Sequence, residues 1–235
     1  SAKEAPSAAP DPVLLAEIER RLGYEYPFSQ LEGVVAKRIA SKLDPTEADS
    51  EYFASRRPSF AGRGRLTPAQ RGTATHRFMQ YADYSRACKS VADELTRLTE
   101  GGMLTAEEAN AVDARAVARF FDSGLYARMS RAERIYKEYS FTCSVPVSEL
   151  YPQLPCGLAD GEVVLIEGVA DCAFVEGGKL VVVDYKTDKA SSAAELAERY
   201  GAQLGIYRRC LAEVLGMPVK ETVIYSFRLN ESITL

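Results

Sequence analysis

The sequence predicts an α/β chain, α+β in arrangement: a mixed β-sheet flanked by helices and preceded by a mainly helical N-terminal portion. Three observations carry this. Before residue 135, apolar residues recur every three or four positions in several stretches, as on half-buried helices. At Tyr139 the period becomes two, with Tyr139, Phe141, Cys143, Val145 and Val147 alternating with polar residues. A capped helical stretch then separates two β-branched runs, and such an order favours a sheet with helices packed on it. Residues 1–12 read as a linker or chain-end segment and 13–235 as a single domain, 13–135 mainly helical and 136–235 carrying the sheet and its flanking helix.

The elements follow in order. SAKEAPSAAPDP (1–12) is rich in Ala, Pro and Ser. A helix is expected over about 13–22, a loop or short extended piece at YEYPF (24–28), a short helix within 32–43, and loop over 44–66. Thr67-Pro68-Ala69-Gln70 opens a helix, with Thr67 as cap, Pro68 at the first turn and Gln70 reaching back. It should run to about Tyr84, with a second helix over 85–99 ended by Gly101-Gly102. Thr105 to Glu108 form another capping box, opening a helix with Ala109, Val112, Ala116 and Phe120 on one face. Strands are expected at 138–147, 163–176 and 179–185, the last two joined by a Gly177-Gly178 hairpin turn. Ser192 to Glu195 cap a helix to about Leu215, stopped by Gly216 and Pro218, and 222–228 form a last strand.

Composition narrows the possible functions. No run approaches the roughly 18 uncharged apolar residues of a membrane span, and no signal-peptide pattern opens the chain. A soluble, cytoplasmic protein with no membrane partner is expected. The five cysteines (88, 143, 156, 172, 210) are odd in number and hold no CxxC spacing, so five reduced thiols are expected, with neither a disulfide framework nor a zinc site. Net charge is −4, which excludes a basic coat over the whole surface. Yet residues 56–82 hold six arginines and no acid. Among these, Arg63, Arg65, Arg71 and Arg77 are candidates to line a path for a DNA backbone; a solvated loop is the alternative.

The hairpin yields the sharpest inference. With Gly177 and Gly178 in the turn, Glu176 pairs with Lys179, and the register carried outward sets Asp171 opposite Asp184. Opposed residues have Cβ atoms about 4.5–5.5 Å apart. Both aspartates interrupt apolar runs, and two like charges there are unfavourable without a cation between them. Lys186, two residues on, shares the face. Hard oxygen ligands suit Mg²⁺ or Mn²⁺, while a structural salt bridge from Lys186 to one aspartate is the other reading. Glu138 is expected on the polar side of its strand with Ser140 and Thr142. His76, the single histidine, sits in the capped helix after the arginines. Tyr200, Gln203 and Tyr207 share one helix face, either as packing against the sheet or reaching the metal or a phosphate.

GTATH (72–76), Glu138, GVAD (168–171), VVDYKTD (182–188) and YGAQLGIY (200–207), in this order, resemble the RecB-like branch of the PD-(D/E)XK nucleases. LTPAQRGTATHRFMQ (66–80) and YPFSQLEGVVAKRIASKL (26–43) bring the chain nearest to the C-terminal nuclease domains of AddA-type proteins in bacterial AddAB helicase–nucleases. The resemblance implies a restriction-endonuclease-like fold and a metal held by His76, Asp171, Asp184 and the backbone carbonyl of Tyr185. It implies Lys186 as the catalytic lysine, Glu138 as a further acidic residue of the site, and Gln203 and Tyr207 as accessory residues with Tyr200 beside them, at the DNA. It implies Mg²⁺, with Mn²⁺ able to substitute. The scattered cysteines do not fit the iron–sulfur cluster of some relatives, so none is expected.

The same resemblance implies an exonuclease domain of a bacterial helicase–nuclease, cutting single-stranded DNA during double-strand-break repair and recombination beside an AddB-like partner. No GxxxxGK[ST] phosphate loop occurs in the chain, so ATP-driven unwinding would lie in other parts of a longer protein. A stand-alone RecB-like exonuclease and a non-catalytic DNA-binding module of the same fold are the alternatives. The complete set Asp171, Asp184 and Lys186 argues against the second.

Overall fold

The computed structural model describes residues 11–24, 26, 28–40 and 67–235. The expected 44–66 loop, most of the 1–12 segment, and Arg63 and Arg65 lie outside the described residues. The chain forms two compact units. One comprises the residues up to Val35 with Pro146–Glu162, the other Ala36–Val145 with Val163–Leu235.

In the smaller unit, helix α1 (Pro12–Leu22) starts where Asp11 accepts the Val13 N–H and proline takes the first helical position. A 3-10 turn follows at Ser29–Leu31. Helix α1 buries none of its residues.

The larger unit holds the sheet. Strand β1 (Lys37–Ile39) pairs in parallel with β3 (Val163–Glu176). This corrects the short helix expected within 32–43: three residues are too few to show a period, and pairing with a distant strand decides the conformation. Helix α2 (Pro68–Tyr81) has the expected capping box between Thr67 and Gln70. The helices expected after it are shorter and more broken: α3 (Tyr84–Ala87), α4 (Val91–Glu100), α5 (Ala106–Ala111), α6 (Ala114–Phe121) and α7 (Gly124–Met129). Thr105 and Glu108 form the expected second capping box. The helix they open stops at Val112, because Asp113 accepts from Arg115 N–H and Ala116 N–H and caps a new one.

Strand β2 (Arg134–Pro146) starts earlier than expected and pairs with β3, and a short helix, α8 (Val147–Leu150), follows it. The hairpin joins β3 to β4 (Lys179–Lys186), with Gly177 and Gly178 both at positive φ. Helix α9 (Ala193–Leu215) is capped by Ser192 and ended by Gly216 in the left-handed conformation. It leads to β5 (Val219–Ser226), which is parallel to β4, and a parallel pair needs such a crossover. A final strand, β6 (Glu231–Thr234), unforeseen in the sequence, pairs antiparallel with β5. The sheet runs β1-β3-β4-β5-β6, with β2 on β3.

Alternation along β4 gives the layers. Val181, Val183 and Tyr185 join Phe174, Tyr225 and residues of α2, α3, α4, α6 and α7 in one hydrophobic cluster. These helices and the sheet therefore share a core. Asp184 and Lys186 alternate with these residues and point to the opposite face, where Lys186 meets α9 through Tyr200. Cys143 on β2 and Cys210 on α9 form a disulfide, with Cα atoms 5.6 Å apart. This corrects the expectation of five reduced thiols: spacing motifs cannot report two cysteines 67 residues apart that packing brings together. Among the described residues no helix is long and apolar enough to cross a membrane.

Candidate metal and nuclease site

The hairpin register is the expected one from Glu176↔Lys179 to Cys172↔Val183. The backbone ladder then stops one step short of Asp171 and Asp184. Instead, Tyr185 N–H donates to Asp171 Oδ2 at 2.7 Å. A side chain thus takes over a ladder acceptor where the strands part, and Asp171 is held against β4 by its own carboxylate.

Two glycines of the sequence motifs shape the surroundings. A methyl group on Gly72 would lie 2.8 Å from Thr187 Oγ1, so its absence lets α2 approach the end of β4. One turn later on α2, His76 Nδ1 stands 3.2 Å from Asp171 Oδ1. A methyl group on Gly168 would lie 2.5 Å from Phe141 Cζ and 3.0 Å from the Ala40 methyl. Phe141 in turn packs edge-on against Tyr207 of α9, with centroids 5.2 Å apart.

Glu138 lies inside β2 with φ of 45°, a left-handed conformation costly to a non-glycine residue. Its neighbour Lys137 is tied down, donating to Ala82 O and lying 3.6 Å from the Tyr84 ring centroid. Ser140 and Thr142 are exposed, whereas Glu138 is half-buried. The expectation that Glu138 shares their polar face is therefore corrected: the backbone kink breaks the alternation. Potential ligand atoms of His76, Glu138 and Asp171 all lie within 4.8 Å of one another.

Asp184 is buried, and its Oδ2 lies 3.1 Å from Lys186 Nζ, yet among the described residues no donor meets that oxygen with hydrogen-bond geometry. A buried carboxylate oxygen left so is costly unless a cation or proton completes it. The Lys186 ammonium is that oxygen's ionic partner, and the group formed by His76, Glu138 and Asp171, an imidazole with two carboxylates, is the one whose donors fit a divalent cation of the oxygen-preferring kind; Asp184, expected as a ligand, is not in that close group.

The protonation states follow from the packing. Burial opposes charge on His76, but the Asp171 carboxylate outweighs it and carries the imidazole up to about 9. Burial pushes the Asp171 carboxyl up, and His76, the Tyr185 N–H and Lys186 together hold it below its usual range. Asp184 is raised, chiefly by burial and further by Asp171, against the pull of Lys186. Glu138 is raised by burial and then by Asp171. Lys186 would lose affinity for its proton through burial, but Asp184 more than offsets this.

The remaining expected residues are placed as follows. The Lys186 ammonium lies 3.8 Å from the Tyr200 ring centroid. The Tyr200 hydroxyl donates to Asp188 Oδ2 at 2.5 Å. Gln203 Nε2 donates to the Tyr207 hydroxyl at 3.2 Å, and burial pushes that phenol up to about 12. The Tyr185 ring is buried in the helical layer, 3.3 Å in oxygen distance from the Tyr84 hydroxyl. Arg71 is exposed, and Arg77 pairs with Glu108 at 3.0 Å. Sequence reasoning gave no role to Asp188, although it stands in the VVDYKTD stretch, nor to Lys137, which no motif marks.

The sequence profile of the PD-(D/E)XK nuclease superfamily matches residues 50–233. The chain is 33% identical over 236 residues to an ATP-dependent helicase/nuclease subunit of Geobacillus thermodenitrificans, covering 90% of this chain and 19% of that protein. It is 33% identical over 238 residues to the protein of the same name from Desulforamulus reducens, covering 95% and 19%. The Clostridium kluyveri protein of that name is 31% identical over 223 residues, covering 90% and 18%. The chain thus spans about a fifth of the length of the curated relatives it matches. Profile, relatives and a mixed sheet flanked by helices agree, and the chain belongs to the PD-(D/E)XK nuclease superfamily.

Proposed function

We propose that this domain hydrolyses phosphodiester bonds of DNA with Mg²⁺, for which Mn²⁺ can substitute, cutting a single strand as an exonuclease. The observation that carries the reading is the close group of His76, Glu138 and Asp171, whose potential ligand atoms lie within 4.8 Å of one another, with the buried Asp184–Lys186 ion pair on the neighbouring strand. Asp171, Asp184, His76 and the Tyr185 carbonyl would hold the cation, with Glu138 completing the acidic wall. Once bound, the cation supplies Lewis-acid charge at the scissile phosphate. His76 and Asp171 form an ion pair without it, so metal and proton compete for the imidazole.

The chain's own groups contribute the rest. Attack of water on phosphorus adds negative charge to the phosphate oxygens, and the Lys186 ammonium neutralises it at a fixed point. Gln203 and Tyr207, a hydrogen-bonded pair on α9, orient water or phosphate. Arg71 adds positive charge for the strand on its way in; Arg63 and Arg65 share this assignment from the sequence alone.

The relatives' name, which joins helicase and nuclease in one ATP-dependent protein, supports placing this domain in a larger bacterial, cytoplasmic enzyme. In that setting an ATP-driven motor feeds the strand, an AddB-like protein is the partner, and double-strand-break repair and recombination are the task.

A gel assay of end-labelled single-stranded DNA with Mg²⁺, Mn²⁺ or EDTA tests the activity. Cleavage with either metal and none in EDTA is expected. DNA binding without cleavage under every condition would replace the reading with a non-catalytic binding module.

A further inference from the structure

We propose that Tyr200 and Asp188 are positioning residues for Lys186: the tyrosine ring seats the ammonium, and the aspartate locks the ring. The proposal rests on the nuclease reading of the Asp184–Lys186 site. A lysine side chain is long and flexible, and holding its charge at one point requires contacts that remain during the reaction. Among the described residues, Asp184 at 3.1 Å and the Tyr200 ring at 3.8 Å touch the Lys186 ammonium. On the proposed reading Asp184 is committed to the cation. The ring is then the contact left to the lysine, and cation–π attraction is strongest where water is excluded, as around buried Tyr200.

The ring is itself held. Its hydroxyl donates to Asp188 Oδ2 at 2.5 Å, and Arg199 Nη1 reaches the same carboxylate oxygen at 3.4 Å. Arg199 is tied to Glu195 at 2.7 Å, and Glu195 accepts from Ser191 N–H at 2.8 Å. The loop after β4 and the first turns of α9 are thereby laced together around Tyr200. Donation to a carboxylate also enriches the phenol ring in electrons, which strengthens its hold on a cation. This places Tyr200 behind the lysine as the support of its ammonium.

Cleavage of a single-stranded oligonucleotide at saturating Mg²⁺ separates these roles. For Tyr200→Leu, kcat should fall by about tenfold or more, while KM and the Mg²⁺ concentration for half-activity stay within about twofold. Tyr200→Phe keeps the ring over the ammonium but loses the hydrogen bond to Asp188, so its kcat should fall about as far as that of Asp188→Ala and less far than that of Tyr200→Leu. Asp188→Ala should lower kcat, and Asp188→Asn, whose amide oxygen accepts the same hydrogen bond, should recover most of it. By NMR, ring current should shift the Lys186 ε-methylene protons upfield in the wild type and return them to ordinary positions in Tyr200→Leu. If Tyr200→Leu does not fold, the half-exposed Asp188 pair of variants decides.

Wild-type turnover by Tyr200→Leu, a loss confined to KM, or unshifted Lys186 protons in the wild type would each overturn the proposal. A wild-type protein that binds DNA but cleaves it under no condition overturns the nuclease reading and this proposal together. Cleavage by the wild type with unaffected variants removes the positioning role alone.

Discussion

Asp184 brings a carboxylate into a nearly dry place, and among the described residues no hydrogen-bond donor meets one of its oxygens there. Without metal, its charge is a burden on the fold that Lys186 only partly offsets. Asp184→Asn should therefore abolish cleavage while leaving the metal-free melting temperature equal or higher. Mg²⁺ should raise the wild-type melting temperature through linkage and move the variant far less. Melts with and without Mg²⁺, set beside the cleavage gel, check this; a variant that melts lower and still responds to Mg²⁺ would place the metal elsewhere. The hairpin register from Glu176↔Lys179 to Cys172↔Val183 was legible in the sequence because a two-residue glycine turn sets it, and the expected opposition of Asp171 and Asp184 lies one step beyond the observed pairs. That the ladder ends before Asp171, which instead accepts from Tyr185 N–H, was not legible. Neither was the backbone at Glu138: its residue type could be noticed, but its φ of 45°, next to a Lys137 anchored on Ala82 and Tyr84, is not written in the local pattern.

Among elements, the path from β3 to α9 runs through Gly168. A methyl group there would drive into Phe141, which holds its place against Tyr207. Gly168→Ala should destabilise the domain by about 1–3 kcal/mol, as overpacking does. At roughly 2–4 °C per kcal/mol for a chain of this size, calorimetry should find the melting temperature several degrees lower. Adding Phe141→Leu should recover part of the loss, and an unchanged melting temperature for Gly168→Ala alone would mean the ring moves freely. The capped starts of α2, α5 and α9 were readable because a cap is a local exchange of hydrogen bonds between near neighbours. Strands β1 and β6 were not. Each is short and owes its conformation to a partner, β3 or β5, that the local pattern does not contain.

At the scale of the whole molecule, charge acts in two places. Glu176, at the turn of the β3–β4 hairpin, takes Arg128 of α7 at 2.8 Å and Lys220 of β5 at 2.5 Å, and these cations hold its carboxyl down to about 2. A carboxyl depressed in the folded state adds stability above its unfolded value of about 4.3 and loses it as pH falls toward the folded one. Urea melts between pH 6 and pH 2 should show stability falling through this window, and Glu176→Gln should flatten that fall. An equally steep acid limb in the variant would assign the loss to other carboxylates. The second place is the arginine run. Arg71 is exposed, whereas Arg77 is engaged by Glu108. Arg71→Ala should reduce the slope of log affinity against log salt for single-stranded DNA by about 0.7, the loss of one phosphate contact. Arg77→Ala should change it less and act through the α2–α5 ion pair. Equal slopes for Arg71→Ala and wild type would leave Arg71 as a solvated side chain.

The sequence by itself determined the fold class, the motifs that place the chain in its superfamily, the hairpin register and the caps that start its main helices. All of these depend on residues near one another in the chain or on an ordered series of short motifs. Tertiary structure alone decided which side chains meet. It set His76 beside Asp171 across two layers, turned Glu138 off the polar face of its strand, joined Cys143 to Cys210, and laid Tyr200 over Lys186 with Asp188 holding its hydroxyl. Such meetings depend on how helices pack on a sheet, and that packing is a balance of burial and sterics over the whole core, which no local spacing records.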